Sequence, residues 1–277
     1  MITTLPEVKS DSFASPATRR RRSIPALLEP LENIAAKSAS LLGGHDLRFE
    51  SNGEQYVLPR YHYVGEKGGG DPIRIAIFAT IHGDEPEGAQ ALAHFVRLLE
   101  TSPEIGRGYC LFLYPLCNPT GFEDNTRHSR RGRDLNREFW RDTSEPEVLL
   151  LQRELAAQSF HGIIALHSDN TSHGLYGFAR GATLTKHLLR PVLAAAAEAL
   201  PKNENSVIDG FSANRGIIRQ SYEGVLSAPP KVRPRPFEII FETPQSAPQY
   251  LQSLALVIAL QTALVEYRKF ISFAANI

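Results

Sequence analysis

The chain lacks most of what marks a secreted, membrane-bound or nucleic-acid-binding protein. Its two cysteines, Cys110 and Cys117, sit close together, which is no disulfide framework and fits a reducing compartment. Long apolar runs are missing too: the longest, Leu254 to Leu260, is far too short to span a bilayer, and no charged-then-apolar signal pattern opens the chain. Thirty basic residues cancel thirty acidic ones, so no excess charge favours nucleic acid or a membrane surface as a partner. What is left is the expectation of a soluble, cytoplasmic protein, and 277 residues suffice for one α/β domain with a substantial core.

Residues 1–24 mix Ser, Thr, Pro and charge without periodicity and end in Arg19-Arg20-Arg21-Arg22, a mobile basic tail. The arginine run reads as a solvated linker or as a contact for an acidic partner. Residues 25–277 then form the single domain. From Pro25 the apolar positions Leu27, Leu28, Leu31, Ile34, Ala35 and Leu41 predict an amphipathic helix stopped by Gly43-Gly44. Leu47 to Glu50 and Tyr56 to Pro59, joined through Asn52-Gly53, predict a hairpin.

Four runs have the near-continuous apolar pattern of strands covered on both faces: Ile73 to Ala79, Gly108 to Pro115, His161 to Leu166 and Phe237 to Phe241. Helical spacings separate them. One follows Pro86, one follows an apparent capping box at Ser144-Glu145-Pro146-Glu147, one runs from Ala182 to Leu200 and is re-aimed around Pro191, and one closes the chain from Gln249 to Phe270. Strands alternating with helices predict an α/β fold, a mostly parallel, twisted mixed sheet with helices on both faces.

In such sheets ligands gather beyond the carboxyl ends of the strands. Three of the predicted strands end there in chemistry-bearing residues: His82 and Glu85 in Thr80-Ile81-His82-Gly83-Asp84-Glu85, His167 in Leu166-His167-Ser168, and Glu242 in Phe241-Glu242-Thr243. A bare H-x-x-E also fits solvated turn residues. Together with His167, however, it makes two imidazoles and a carboxylate, a ligand set common to catalytic zinc, which lowers the pKa of bound water to about 7. Glu242 could carry the proton from water to leaving group. The polar loop from Cys117 to Arg137 is long enough to be functional, and its Arg127 and Arg137 supply the planar, always-charged fork that matches a carboxylate.

The ordered set of H-x-x-E, N-P-x-G at Asn118 to Gly121, Arg127 five residues before Gly132, D-L-N-R at Asp134 to Arg137, L-H-S and F-E-T resembles the zinc carboxypeptidase superfamily related to carboxypeptidase A. It is most similar to its compact bacterial members, such as murein-peptide amidases, and to the neighbouring succinylglutamate desuccinylase/aspartoacylase branch. The resemblance implies one zinc ion on His82, Glu85 and His167, with Glu242 as general base and acid. It implies that Arg127 polarises the scissile carbonyl, that Asn136 and Arg137 hold the substrate carboxylate, and that Asp134 orients His82. The implied substrate is a small peptide or an acylated amino acid with a free carboxylate. The acyl-amino-acid branch usually has Asp two residues before the second histidine and Asn before the first glutamate. Ala165 and Asp84 stand there, which favours the peptidase side over a deacylase. The rival from another class is a non-catalytic carboxylate-binding protein, and the filling of every chemical position speaks against it.

Tyr222 is the nearest candidate for the tyrosine that closes over substrate in the peptidases, although a packing or surface role fits it too. His45, His62, His94, His128, His161, His173 and His187 read as structural or solvated, with His173 the one to watch. Asp169 and Asn170, next to the second histidine ligand, are candidates for shaping the pocket. Arg130 and Arg131, and likewise Lys231, Arg233 and Arg235, read as solvated charge or as a preference for acidic substrates.

Overall fold

The computed structural model describes residues 21–274, without the side chains of His45, Phe273 and Ala274. Most of the expected basic tail, including Arg19 and Arg20, therefore lies outside the described residues. Arg21 and Arg22 lie within them and are engaged: Arg21 pairs with Glu54 at 2.8 Å, and the Arg22 backbone N–H donates to Glu123 at 2.8 Å.

The elements run α1 (Ile24–Ala35), β1 (Leu41–Ser51), β2 (Glu54–Val64), β3 (Ile73–Ala79), α2 (Glu87–Thr101), β4 (Tyr109–Tyr114), α3 (Pro119–Asp124), a 3-10 turn (Leu135–Arg137), α4 (Pro146–Ala157), β5 (Gly162–Asp169) and β6 (Tyr176–Ala179). After β6 come α5 (Ala182–Leu184), a π-turn (Thr185–Leu189), α6 (Arg190–Ala196), the short strands β7 (Val207–Ile208), β8 (Phe211–Asn214) and β9 (Ile217–Ile218), then β10 (Phe237–Pro244) and α7 (Gln249–Ala274). One ten-stranded sheet has the order β1-β2-β4-β3-β5-β10-β6-β9-β8-β7. Its central strands β4, β3, β5 and β10 are mutually parallel, while the β1-β2 hairpin on one side and β6 on the other pair antiparallel.

The four parallel strands are the four apolar runs of the sequence, buried on both faces. Against one face lie α1, α2, α6 and α7, whose Leu31, Leu92, Phe95, Val192, Leu256 and Leu260 pack on Ile75, Ile77, Ile164 and Phe241. Against the other lie α4 and the loop before it, with Leu135, Phe139, Val148 and Leu151 on Ala76, Phe78, Phe112 and Ile163. Roughly 2 kcal/mol is gained per fully buried large apolar side chain, so this two-sided core holds the carboxyl ends of β3, β5 and β10 in fixed register.

Some local expectations fail for physical reasons. The first helix ends at Ala35, not at Gly43-Gly44, because the Ser38 hydroxyl accepts from Ser40 N at 2.9 Å and Leu41 N at 2.8 Å and turns the chain into β1. The two glycines lie inside that strand, where a bulge shifts the register between Gly44 and Leu47. The capping box does not form. Glu145 occupies the N-cap of α4 without a side-chain cap, and the Glu147 carboxylate instead accepts from the Thr120 hydroxyl at 3.2 Å. Near Pro191 the helix survives as a π-turn, in which Arg190 N–H reaches back to the Thr185 carbonyl, so the missing proline N–H is absorbed without a break.

Candidate active site

At the end of β3 the backbone turns through Thr80 at φ 53°, a left-handed conformation that is costly for a β-branched residue and holds only where neighbours impose it. The neighbours are on the adjoining loop. Cys117 N donates to Ala79 O at 3.1 Å and Asn118 N to Thr80 O at 3.0 Å. The Asn118 side chain caps α3 by accepting from Gly121 N at 2.8 Å, while its Nδ2 donates to the Ile81 and Arg127 carbonyls at 3.3 Å each. Gly83 abuts α3 so closely that a Cβ there would lie 2.0 Å from the Gly121 carbonyl carbon. The N-P-x-G motif is thus the clamp that fastens the H-x-x-E loop to the arginine loop.

Three buried side chains converge beyond the strand ends. Glu85 lies with Oε1 2.6 Å from His82 Nδ1 and Oε2 3.0 Å from His167 Nδ1, and the two Nδ1 atoms are 3.3 Å apart. Ser168 N donates to Glu85 Oε2 at 3.1 Å, and His82 Nε2 lies 3.3 Å from Asp134 Oδ1. One ligand atom from each of His82, Glu85 and His167 falls within 4.8 Å of the others, a group that could hold a metal ion. The donor set fits one: Nδ1 lone pairs and carboxylate oxygens crowd a single buried point, and the Asp134 carboxylate lies beside the far nitrogen of His82.

The electrostatics run the same way. Burial alone would lower the His82 imidazole pKa, but the Glu85 and Asp134 carboxylates outweigh it and the net shift is upward. At His167 burial wins and the shift is downward, favouring a neutral ring. Burial opposes ionisation of Glu85 and of Asp134, yet the histidines beside both, with Arg127 next to Asp134, hold each well below the usual carboxylate range.

A cavity of about 360 Å³ opens onto this cluster. His82, Glu85, Arg127, Asn136, Arg137, Tyr222 and Glu242 all line it, while Asp134 stands behind His82. Glu242, half-buried on β10, faces His167 across the β5 pairing and Tyr176 across the β6 pairing. Burial, with Glu85 and Asp169 adding to it, drives its carboxyl well above the ordinary range. Arg127 is shared between two acids, with Nη2 3.0 Å from Asp134 Oδ2 and Nη1 3.7 Å from Glu85 Oε1. Leu226 N donates to Asn136 Oδ1 at 2.8 Å, so the NH2 of Asn136 remains the half available as a donor. Arg137 stacks over the Tyr222 ring at 4.1 Å, and the Tyr222 hydroxyl donates to Asp209, whose carbonyl and carboxylate oxygens lie at 3.0 and 3.1 Å.

Other candidates lie elsewhere. His173 is exposed and does not line the cavity. Arg130 is neither solvated nor at the cavity: its guanidinium is bound by Glu54, Glu123 and Asp124 at 2.6, 3.0 and 2.8 Å. Arg235 is taken by Glu238 at 2.9 Å, and Lys231 and Arg233 are also outside the lining. Asp169 and Asn170 do line it, as their position suggested. The sequence reading missed Tyr176, whose hydroxyl donates to Asp169 Oδ2 at 2.8 Å, and Asp209. Asp209 and Gly210, at φ 50° and 78°, make the turn between β7 and β8, and Asp-Gly between short apolar stretches was a readable hairpin signal.

The family of the succinylglutamate desuccinylase/aspartoacylase catalytic domain matches residues 71–215, just over half of the chain. No curated protein matches it. Among solved structures, a candidate metallopeptidase from Shewanella denitrificans superposes with TM-score 0.73 at 23% identity, covering 87% of this chain and 89% of that one. A metallo-carboxypeptidase from Burkholderia cenocepacia does so with TM-score 0.67 at 16% identity, over 90% and 70%. An aspartoacylase family protein from Mesorhizobium loti gives 0.54 at 17%, over 81% and 68%. At these identities the likeness establishes the fold.

Proposed function

The chain belongs to the succinylglutamate desuccinylase/aspartoacylase catalytic-domain family, and we propose that it is a zinc-dependent hydrolase cleaving an amide bond next to a free carboxylate, with small peptides as substrates. The observation that carries this reading is the meeting, in one cavity, of the His82/Glu85/His167 cluster with Glu242 and with the guanidinium groups of Arg127 and Arg137. Zinc on that cluster would act as a Lewis acid toward the scissile carbonyl and toward water.

The chain's own groups account for the remaining steps. Asn136 Nδ2 and the Arg137 guanidinium bind the substrate carboxylate and so fix the amide beside Glu242. Glu242 removes a proton from the attacking water as the new C–O bond forms, then delivers that proton to the amine nitrogen as the C–N bond breaks. Arg127 donates to the oxygen that gains charge in between. Asp134 keeps the His82 ring oriented.

Family membership also favours a second reading, an N-acyl-amino-acid deacylase with the same groups acting on a different acyl portion. Mass spectrometry of products from zinc-loaded protein, offered peptides and N-acyl amino acids together, separates the two. Loss of a C-terminal unit from peptides supports the peptidase reading, and release of acyl groups alone replaces it with the deacylase. Absence of any product from metal-replete protein would overturn both.

A further inference from the structure

A second cavity, of about 660 Å³, lies against the first and shares Phe178, Ser221, Tyr222 and Val225 with it. Tyr222, with Arg137 stacked on its ring, stands between the two. Three arginines from separate segments line this second space: Arg141 after the 3-10 turn, Arg180 after β6 and Arg219 after β9. Their engagements differ. Arg180 is anchored through Nε to the buried Glu238 at 2.9 Å. Among the described residues Arg141 ion-pairs with Glu223 alone, at 3.2 Å; Glu223 is exposed and lines the same cavity, and a pair of that kind is worth little in water. Arg219 is exposed and has no ion-pair partner among the described residues.

We propose that this second cavity is a further subsite of the substrate groove and that it takes a second carboxylate, one that the substrate carries away from the scissile amide. The proposal rests on the reading above for the identity of the first cavity. Its own warrant is chemical: guanidinium groups match carboxylates in a planar fork and keep their charge at any working pH, and here they come from three segments that converge on one space. Among the described residues, Arg219 is the one of the three arginines without an ion pair. The same cavity is lined by the partly buried Trp140, whose ring offers apolar surface to the connecting part of a peptide and is fixed by Nε1 donating to Ser227 O at 2.9 Å.

Trp140 is the single tryptophan of the chain, so its fluorescence reports occupancy of this cavity without any turnover. The test titrates zinc-loaded, full-length Glu242→Gln protein with tri-glutamate and with tri-alanine, which present the same terminal carboxylate to the first cavity. The expected result is a saturable emission change with tri-glutamate at least tenfold tighter than with tri-alanine, a preference that Arg219→Gln reduces to near unity. Equal affinity for the two peptides, or a preference that Arg219→Gln leaves intact, overturns the proposal. Circular dichroism and thermal melting check that this exposed substitution leaves the fold unchanged. Failure of the hydrolase reading has a different signature: the fluorescence preference persists while the unsubstituted protein releases no product.

Discussion

The two halves of the sheet that meet at the cavity are built to opposite specifications. On one side β3, β5 and β10 are long, parallel and covered on both faces, and the ends of β3 and β5 carry residues buried to within a few per cent: His82 and His167 at 3% and Glu85 at 4% exposure. On the other, β7 and β9 are two residues long, β8 is four, and their core is the small cluster of Tyr176, Phe178, Ile208 and Ile218. Tyr222, which leans on that outer wing through Phe211 at 4.8 Å, is 39% exposed. Under the proposed function, the groups that would hold a cation within tenths of an ångström stand on the two-sided core, whereas those that would choose among substrates stand on the side that varies cheaply.

If that division is right, the largest effects come from the two-sided core. Glu242→Gln keeps the shape of the site but cannot accept a proton, so turnover should fall by roughly 10³-fold or more while zinc content, read by elemental analysis, stays stoichiometric. Substantial residual turnover would remove Glu242 from its assigned role. Next comes Asp134→Asn, which retains an oxygen for the Asn136 N–H it accepts at 3.0 Å but loses the charge beside His82. Zinc affinity should weaken by about 10- to 100-fold. An unchanged affinity in competition with a chromogenic chelator would mean that His82 is held by packing alone.

The same contrast sets what the sequence could disclose. Parallel strands covered on both faces leave continuous apolar runs, so β3 could be read to the residue and β4 to within one, whereas β5 and β10 run three residues past their apolar stretches and carry His167 and Glu242 inside the strands. Asn118 and Gly121 were visible as a motif, but their task as a clamp on Ile81 and Arg127 emerges only from the fold. In the outer wing, two-residue strands carry no periodicity. Tyr176 faces Glu242 only through the antiparallel register of β6 with β10, a long-range pairing that nothing local announces. Gly43-Gly44 misled for the related reason that a glycine pair marks a strand bulge as readily as a helix stop.

The two-sided core also carries a cost that pH should expose. Glu147, 1% exposed on α4 beneath the arginine loop, has its carboxyl pushed up by burial to about 7, and the neighbouring Glu145 adds to the shift. A folded pKa above the unfolded value means that the contribution of this group to stability is fully present below about pH 4.5 and is lost as pH rises through about 7. Glu147→Gln keeps an oxygen for the Thr120 hydroxyl and removes the titration. It should therefore stabilise the protein by about 2 kcal/mol at pH 8 and by little at pH 4.5, in paired urea melts. A gain independent of pH would show that Glu147 is ionised in the fold without penalty.

The outer wing should yield the smallest effect, and a different kind. Tyr222→Phe removes the hydroxyl that donates to Asp209 but keeps the ring under Arg137 and against Phe211. The lost hydrogen bond is exposed and worth about 1 kcal/mol or less, so melting temperature should barely move. What loosens is the link between Tyr222 and the Asp209-Gly210 turn at the rim of the cavity. KM should then rise a few-fold with kcat nearly unchanged, because binding is weakened equally in the ground and transition states. A fall in kcat of a hundredfold at unchanged KM would instead put the Tyr222 hydroxyl on the reacting atoms, and the outer wing would then take part in the chemistry as well as in the choice of substrate.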